Sequence, residues 1–363
     1  MNFQDYLNYS NLDAKDYQRN GVEWCIARES PTSEHCRGGI IADEMGLGKT
    51  IMMIGTLLAN FSMPNLIVLP VVLVEQWKEQ FERTTGHSPL IYHGSHKKEV
   101  SVEQLQKTPI VLTTYGTVLT DSQTNDKKLQ QVKWTRIICD EAHHLRNRRT
   151  KIAQSVMKLD CQIKWLVTGT PIQNYKKDII TLFKYIRLEG DLAELIKTHM
   201  LRRTSKSLSF EMPKLSKTIK FITEHNPKLV NEIESNEYMH HLERIFRLKQ
   251  ACIMPNDTLK SIESKYSFNK QIGTIHITKL NSIVKDIIKG GPQKTIIFSY
   301  FRSEIRYLYK KLVKHLNVDF IDGSISTKKK EKLIHSKTIN KLIIQNNNVG
   351  TGINLKHYNN LIF

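Results

Sequence analysis

"IIADEMGLGKT", residues 40–50, follows the short apolar run "GGII" and precedes an amphipathic stretch, so it reads as strand, loop and helix in succession. That context suits a phosphate cradle, in which backbone amides and the positive end of a helix face an anion. The strict phosphate-loop pattern asks for glycine five places before Gly48, and this chain has Asp43 there. Gly46 and Gly48 leave the loop free of side chains where phosphate approaches, Lys49 would neutralise it, and Thr50 would offer a hydroxyl to Mg2+.

Working outward, uninterrupted apolar runs recur as "NLIVLP" (65–70), "PIVLTTY" (109–115), "RIICDE" (136–141) and "KWLVTGT" (164–170). Runs without polar alternation suit strands buried on both faces of a parallel sheet. Helical spacing lies between them: Ile51, Ile54, Leu57, Leu58 and Phe61 share one face, as do Leu73, Trp77 and Phe81. From about 190 to 278 the pattern is polar and helical, with no buried strand expected. Buried runs return as "KTIIFSY" (294–300), "VDFID" (318–322), "KLIIQ" (341–345) and "NNLIF" (359–363). The expected class is α/β in two layered lobes.

The totals agree with this division. A chain of 363 residues exceeds what one core usually sustains, so two compact domains are expected. An apolar fraction of 40% and a charged fraction of 25% are those of an ordinary globular protein, and no run of about 18 apolar residues is present to span a bilayer. The opening "MNFQDYLNYSNLDAKDYQ" has no basic start followed by an apolar core, so an intracellular, unsecreted protein is expected. The five cysteines form no C-x-x-C pair and are odd in number, which favours reduced thiols, and neither His35–Cys36 nor His143–His144 has a second pair at zinc-ligand spacing. A formal charge of +19 attracts polyanions, nucleic acid above all, although heavy use of Lys, Asn and Ile would also follow from an AT-rich genome. Residues 279–363 hold 16 Lys and Arg against 5 Asp and Glu, so basicity is concentrated there.

A second motif supports the loop. "RIICDEAHHL" ends a buried run in Asp140 and Glu141, and in a neighbouring parallel strand these carboxylates would reach the sheet edge where α/β folds bind ligands. Asp140 suits Mg2+ held through water, and Glu141 suits orienting and deprotonating an attacking water. Neighbouring buried carboxylates without a cation are costly, which argues against a purely structural role.

With both motifs in place the sequence resembles the Swi/Snf family of DNA translocases, within the superfamily-two helicases. "DEMGLGKT" is that family's form of the loop, Asp43 included, and "DEAH", "LVTGTPIQN" (166–174), "MLRRT" (200–204), "LKQAC" with Pro255, "KTIIFSYF" (294–301), "IDGSIS" (321–326) and "GTGINL" (350–355) follow in the family's order. The resemblance implies two RecA-like parallel-sheet lobes with a helical insertion between them, over residues 1–190, 191–278 and 279–363. It implies ATP and Mg2+ as cofactors, double-stranded DNA as partner, and movement along that DNA by ATP hydrolysis; the oligomeric state stays open, with a monomer favoured. Nucleotide would be held by Gln18, which matches the family's adenine reader, and by Asp43, Gly46, Leu47, Gly48, Lys49 and Thr50, with Thr50 and Asp140 at the metal and Glu141, Asp140 and Lys49 at the chemistry. Thr114, Arg146, Asn147, Thr351 and Gly352 match nucleic-acid positions, and Thr168, Gly169, Thr170 and Gln173 match the motif coupling nucleotide state to DNA grip. Arg202 and Arg203 match a brace between the lobes. The family's last motif, with two arginines that reach the γ-phosphate, would follow Phe363; the expectation is therefore a fragment of a longer motor that binds ATP and DNA with impaired turnover. The rival readings are a DEAH-type RNA or strand-separating helicase and a non-hydrolysing DNA-binding scaffold.

Overall fold

The computed structural model describes residues 15–30, 37–172, 175–208, 216–222, 226–266, 275–334, 336–346, 355 and 358–363. The chain divides into two compact units, residues 1–214 and 215–363. In the first unit the strands are β1 (Arg37–Ile41), β2 (Asn65–Leu69), β3 (Leu90–Tyr92), β4 (Ile110–Thr114), β5 (Trp134–Asp140), β6 (Cys161–Val167) and β7 (Met200–Leu201). They form a parallel sheet in the order β3-β4-β2-β5-β6-β1-β7.

The continuous apolar runs are explained by what covers the sheet. Leu66 and Val68 of β2, with Ile137 and Cys139 of β5, pack into one cluster beneath the helices Tyr115–Ser122, Lys151–Met157 and Lys176–Tyr185. Their neighbours Ile67, Leu69 and Ile138 pack into a second cluster with Val22, Met52, Ile54, Trp77 and Phe81 from the helices Asp16–Glu29, Lys49–Ala59 and Val74–Thr85. Both faces are therefore dry, and each fully buried aliphatic side chain contributes about 1.5–3 kcal/mol.

Two expectations change. Phe61 is not on the helix face with Ile54 and Leu57, because the helix ends at Ala59 and Phe61 is 62% exposed beyond it. The region after residue 190 also supplies an edge strand, since β7 pairs with β1 through Ile40↔Met200 and Ile41↔Leu201, and the first unit takes in the helix Leu192–His199. Two residues are too few to give an apolar run that sequence can register.

In the second unit β8 (Thr295–Ser299), β9 (Val318–Ile321), β10 (Lys341–Gln345) and β11 (Asn360–Ile362) form a parallel sheet in the order β11-β8-β10-β9. The helices Thr278–Lys289, Arg302–Leu312 and Thr327–Ile334 belong to this unit, and Leu280, Val284, Ile305 and Leu308 pack with Ile297 and Ile343. The helices Pro227–Ser235, His241–Ala251 and Pro255–Glu263 lie in the same unit ahead of its sheet in the chain, with a small core of Leu229, Ile233, Met239, Ala251 and Ile262. Both expected parallel sheets are present, with helices between them in sequence.

At the amino end of the first sheet lies a fully buried ion pair. Arg136 Nε donates to Glu29 Oε1 at 2.6 Å and Nη2 to Glu29 Oε2 at 2.5 Å, while Nη1 donates to Asn65 Oδ1 at 2.7 Å. Trp165 Nε1 and Asn60 Nδ2 complete the carboxylate, each at 2.7 Å. The network ties the far end of the helix Asp16–Glu29 to β5, β6 and β2. Such a pair adds little over an apolar substitute, but breaking one partner strands a buried charge. Glu29→Ala is expected to cost about 3–5 kcal/mol in urea unfolding, and the double variant Glu29→Leu/Arg136→Met to cost less than that single change.

Candidate functional site

The site is built at the carboxyl edge of three adjacent strands. Register pairs Ile41 with Val167 and Val167 with Asp140, so β1, β6 and β5 end level with one another. Strands lie about 4.8 Å apart, which sets the loop after β1 about 10 Å across the edge from Asp140.

After β1 the chain turns through Asp43 to Gly48 and enters the helix Lys49–Ala59. Gly46 and Gly48 have φ of 89° and 79°, a region that costs any other residue, and a Cβ on Gly48 would stand 2.3 Å from Gln18 Nε2. Gly46 is open, with nothing within 4 Å of an added Cβ. Lys49 folds back over the loop, its Nζ donating to Asp43 O at 3.0 Å and Glu44 O at 3.2 Å. Burial pulls its ammonium below the ordinary lysine value, and the charges of Glu141, Asp140 and Asp43 act against that shift. Thr50 follows in the first helical turn, partly exposed.

The acidic pair is held from several sides. Trp77 Nε1 donates to Asp140 Oδ2 at 2.8 Å, Glu141 N donates to Asp140 Oδ1 at 2.9 Å, and Tyr115 Oη donates to Asp140 O at 2.7 Å. Burial raises the Asp140 carboxyl to about 6; the Trp77 hydrogen bond lowers it and the Glu141 charge raises it. Glu141 has a φ of 48°, a left-handed backbone that costs a non-glycine residue about 1 kcal/mol or more and recurs at functional turns. Its Oε2 is buried without a hydrogen-bond partner, and although His143 Nδ1 lies 3.1 Å away the two are not aligned as donor and acceptor. A buried orphan carboxylate oxygen beside a second carboxylate, a hydroxyl and a lysine suits a hard cation and phosphate.

The "TGT" stretch closes the edge. Thr168 is buried and its amide donates to Ile41 O at 3.0 Å, continuing the β1–β6 ladder, while Thr170 N donates to Thr168 Oγ1 at 3.2 Å. A Cβ on Gly169 would lie 2.9 Å from Met45 Cγ and 3.5 Å from Lys49 Nζ, so this turn lies against the loop itself. Gln18, at the start of the helix Asp16–Glu29, donates from Nε2 to Leu47 O at 3.3 Å. The edge thus gathers Gln18, Asp43, Gly46, Leu47, Gly48, Lys49, Thr50, Asp140, Glu141, Thr168, Gly169 and Thr170. Gln173, Thr351 and Gly352 lie outside the described residues.

Of the nucleic-acid candidates, Thr114 ends β4 at the same edge, but its hydroxyl is buried and caps the next helix, accepting from Thr117 N at 3.1 Å. Arg146 follows the acidic turn and is half-buried, with Nη1 lacking a hydrogen-bond partner, and Asn147, Arg148 and Arg149 after it are exposed. Arg202 and Arg203 are both engaged within the first unit: Arg202 Nη1 donates to Gly169 O at 3.0 Å and also to Ala42 O, and Arg203 pairs with Asp43. Sequence reasoning placed Trp77 only as core. It is core, but its indole N–H points at Asp140 from 63 residues away, which no local pattern signals.

A phosphate-type loop, an acidic strand end and a threonine turn thus share one parallel edge of an α/β domain. Residues 17–191 match the SNF2-related domain and residues 278–363 match the helicase conserved C-terminal domain. The chain belongs to the Swi/Snf-type helicase-like family. It is 36% identical over 244 residues to "DNA repair protein RAD5" of Candida albicans, covering 58% of this chain and 22% of that protein. It is 27% identical over 298 residues to "Chromodomain-helicase-DNA-binding protein 8" of Danio rerio, covering 71% of this chain and 11% of the relative. An "Uncharacterized ATP-dependent helicase MG018" of Mycoplasma genitalium aligns at 24% identity over 88% of this chain and 33% of its own length. The chain thus spans a third or less of each of these relatives. The ATPase core of Sulfolobus solfataricus SWI2/SNF2, solved in complex with dsDNA, aligns with a TM-score of 0.48 at 22% identity, over 96% of this chain and 81% of that one.

The raised Asp140 carboxyl has a measurable consequence. Its ordinary value is 3.8 and its folded value about 6, so between them the folded state keeps a proton that the unfolded state has lost. Stability of the metal-free chain therefore falls as pH rises through that window. Asp140→Asn, which cannot ionise, is expected to gain on the wild type by up to about 3 kcal/mol between about pH 4 and pH 6 in urea titrations. A difference flat in pH would contradict the burial of this carboxylate.

Proposed function

We propose that this chain binds ATP at the β1 edge and acts as the ATP-driven engine of a double-stranded DNA translocase. The reading is carried by one observation: the strand register brings Lys49, Asp140, Glu141 and the Thr168–Thr170 turn to a single edge beside a glycine-hinged helix start. The amides at the start of the helix Lys49–Ala59 offer the phosphate seat, with Lys49 supplying the positive charge. Thr50 and Asp140 would hold Mg2+, which when bound neutralises the charge on the β- and γ-phosphates. Trp77 fixes the Asp140 carboxylate by its indole N–H. Glu141, with one carboxylate oxygen lacking a hydrogen bond, is the base that orients a water and takes its proton. Gln18, an amide that donates and accepts, stands where adenine would be read.

DNA as partner is supported by the family, by the charge of +19 and by the exposed Arg148 and Arg149 beside Arg146 after the acidic turn. Contacts would fall on phosphates, giving affinity sensitive to salt and indifferent to sequence. If about six phosphates are neutralised, log K for a random duplex should fall against log salt with a slope near −5. A slope shallower than about −2 would assign the basic surface to another task. Lys49→Ala should lower MgATP affinity by at least about tenfold in calorimetry, and unchanged affinity would overturn the ATP reading.

A further inference from the structure

The substitution of aspartate for the first glycine of the loop has a partner 160 residues away. Asp43 is fully buried, and its Oδ1 accepts from the Arg203 backbone N at 2.9 Å and from Arg203 Nε at 3.1 Å, while Nη2 pairs with Oδ2. The same guanidinium turns its other edge to the helix Asp16–Glu29. There Nη1 donates to Tyr17 O and the group stands 5.2 Å from the centre of the Tyr17 ring, while Nη2, the nitrogen paired with Asp43, also lies 3.1 Å from Met52 Sδ of the helix Lys49–Ala59. Tyr17 immediately precedes Gln18.

The segment that carries Arg203 is itself laced to the loop. Ala42 N donates to Leu201 O at 2.8 Å and Glu44 N to Arg203 O at 2.9 Å, prolonging the β1–β7 pairing into the loop. Glu44 Oε2 then accepts from Ser205 N at 2.6 Å and Ser205 Oγ at 2.8 Å, and these bonds hold its carboxyl below the usual range.

From this geometry we propose that Arg203 is a positioning residue for the nucleotide: it locks the phosphate loop, through Asp43, in register with the backbone beside Gln18. The proposal rests on the ATP reading above. Where the strict pattern has glycine, the buried Asp43 supplies the counter-charge that the largely enclosed Arg203 guanidinium needs. Only a planar fork reaches Asp43 and Tyr17 O together; a lysine offers one point charge and must abandon one of them. Misplacing the loop against the base-reading helix should weaken both the hold on triphosphate and the choice of base.

The test measures binding of MgATP and MgGTP by calorimetry on the 363-residue chain, with melting curves taken without nucleotide. Arg203→Lys and Asp43→Asn are each expected to weaken MgATP binding by about tenfold and to narrow the preference for ATP over GTP, and the double variant to lose little more than either single change. Lys49→Ala is the control. If Lys49→Ala loses affinity while both Arg203→Lys and Asp43→Asn keep wild-type affinity and base preference, whatever their melting temperatures, the positioning role is overturned. If Lys49→Ala binds as the wild type does, the ATP reading falls and the proposal with it. Should Arg203→Lys fail to fold, the nearly isosteric Asp43→Asn decides the matter alone.

Discussion

The parallel register of β1, β6 and β5 is the constraint on which the rest depends. Because Ile41, Val167 and Asp140 stand level, three loops separated by many residues in sequence leave the sheet at one edge. A slip of one residue in either pairing would reverse which face each side chain meets, sending Ile138 or Leu166 into the wrong cluster. The site is thus specified by the same packing that specifies the fold. Dry clusters on both faces make that register costly to change.

Charge at this edge is dense and mostly buried. Asp43, Asp140 and Glu141 are buried, Lys49 and Arg203 are partly buried beside them and Arg202 is exposed, so an unpaired carboxylate here would be expensive. The positions differ in how fully they are satisfied. Asp43 is saturated by Arg203, whereas Asp140 is held by Trp77 and a backbone amide and still has its carboxyl raised by burial, and Glu141 keeps an oxygen without a hydrogen bond, 3.1 Å from His143 Nδ1. Saturated groups fix the scaffold. The unsaturated pair is the place we propose for a cation and a reacting water.

Much of this was legible in the sequence because its chemistry is local. The glycines, Lys49 and Thr50 sit in consecutive positions, and the apolar run into Asp140 announces both a buried strand and a carboxylate at its end. What was not legible is non-local or short. Trp77 has the helical spacing of a core residue and shows no sign that its N–H meets Asp140. The Glu29–Arg136 pair spans 107 residues and the Asp43–Arg203 pair 160, distances at which no spacing rule operates. Strand β7 contributes two residues and no apolar run, so residues 192–201 could not be assigned to the first unit from pattern alone. The family resemblance makes Arg203 a brace between lobes, and its contacts to Asp43 and Tyr17 give it work inside one.

The central claim is that a triphosphate seats on the amides before Lys49 with its metal steadied by Asp140. The most direct measurement is a crystal structure of this chain with magnesium and a non-hydrolysable ATP analogue. The account predicts phosphate oxygens against the backbone amides of Gly46 to Thr50, the metal between Thr50 and Asp140, and the Gln18 amide turned from Leu47 to the base. Phosphates bound elsewhere, or a metal with no approach to Asp140, would contradict it.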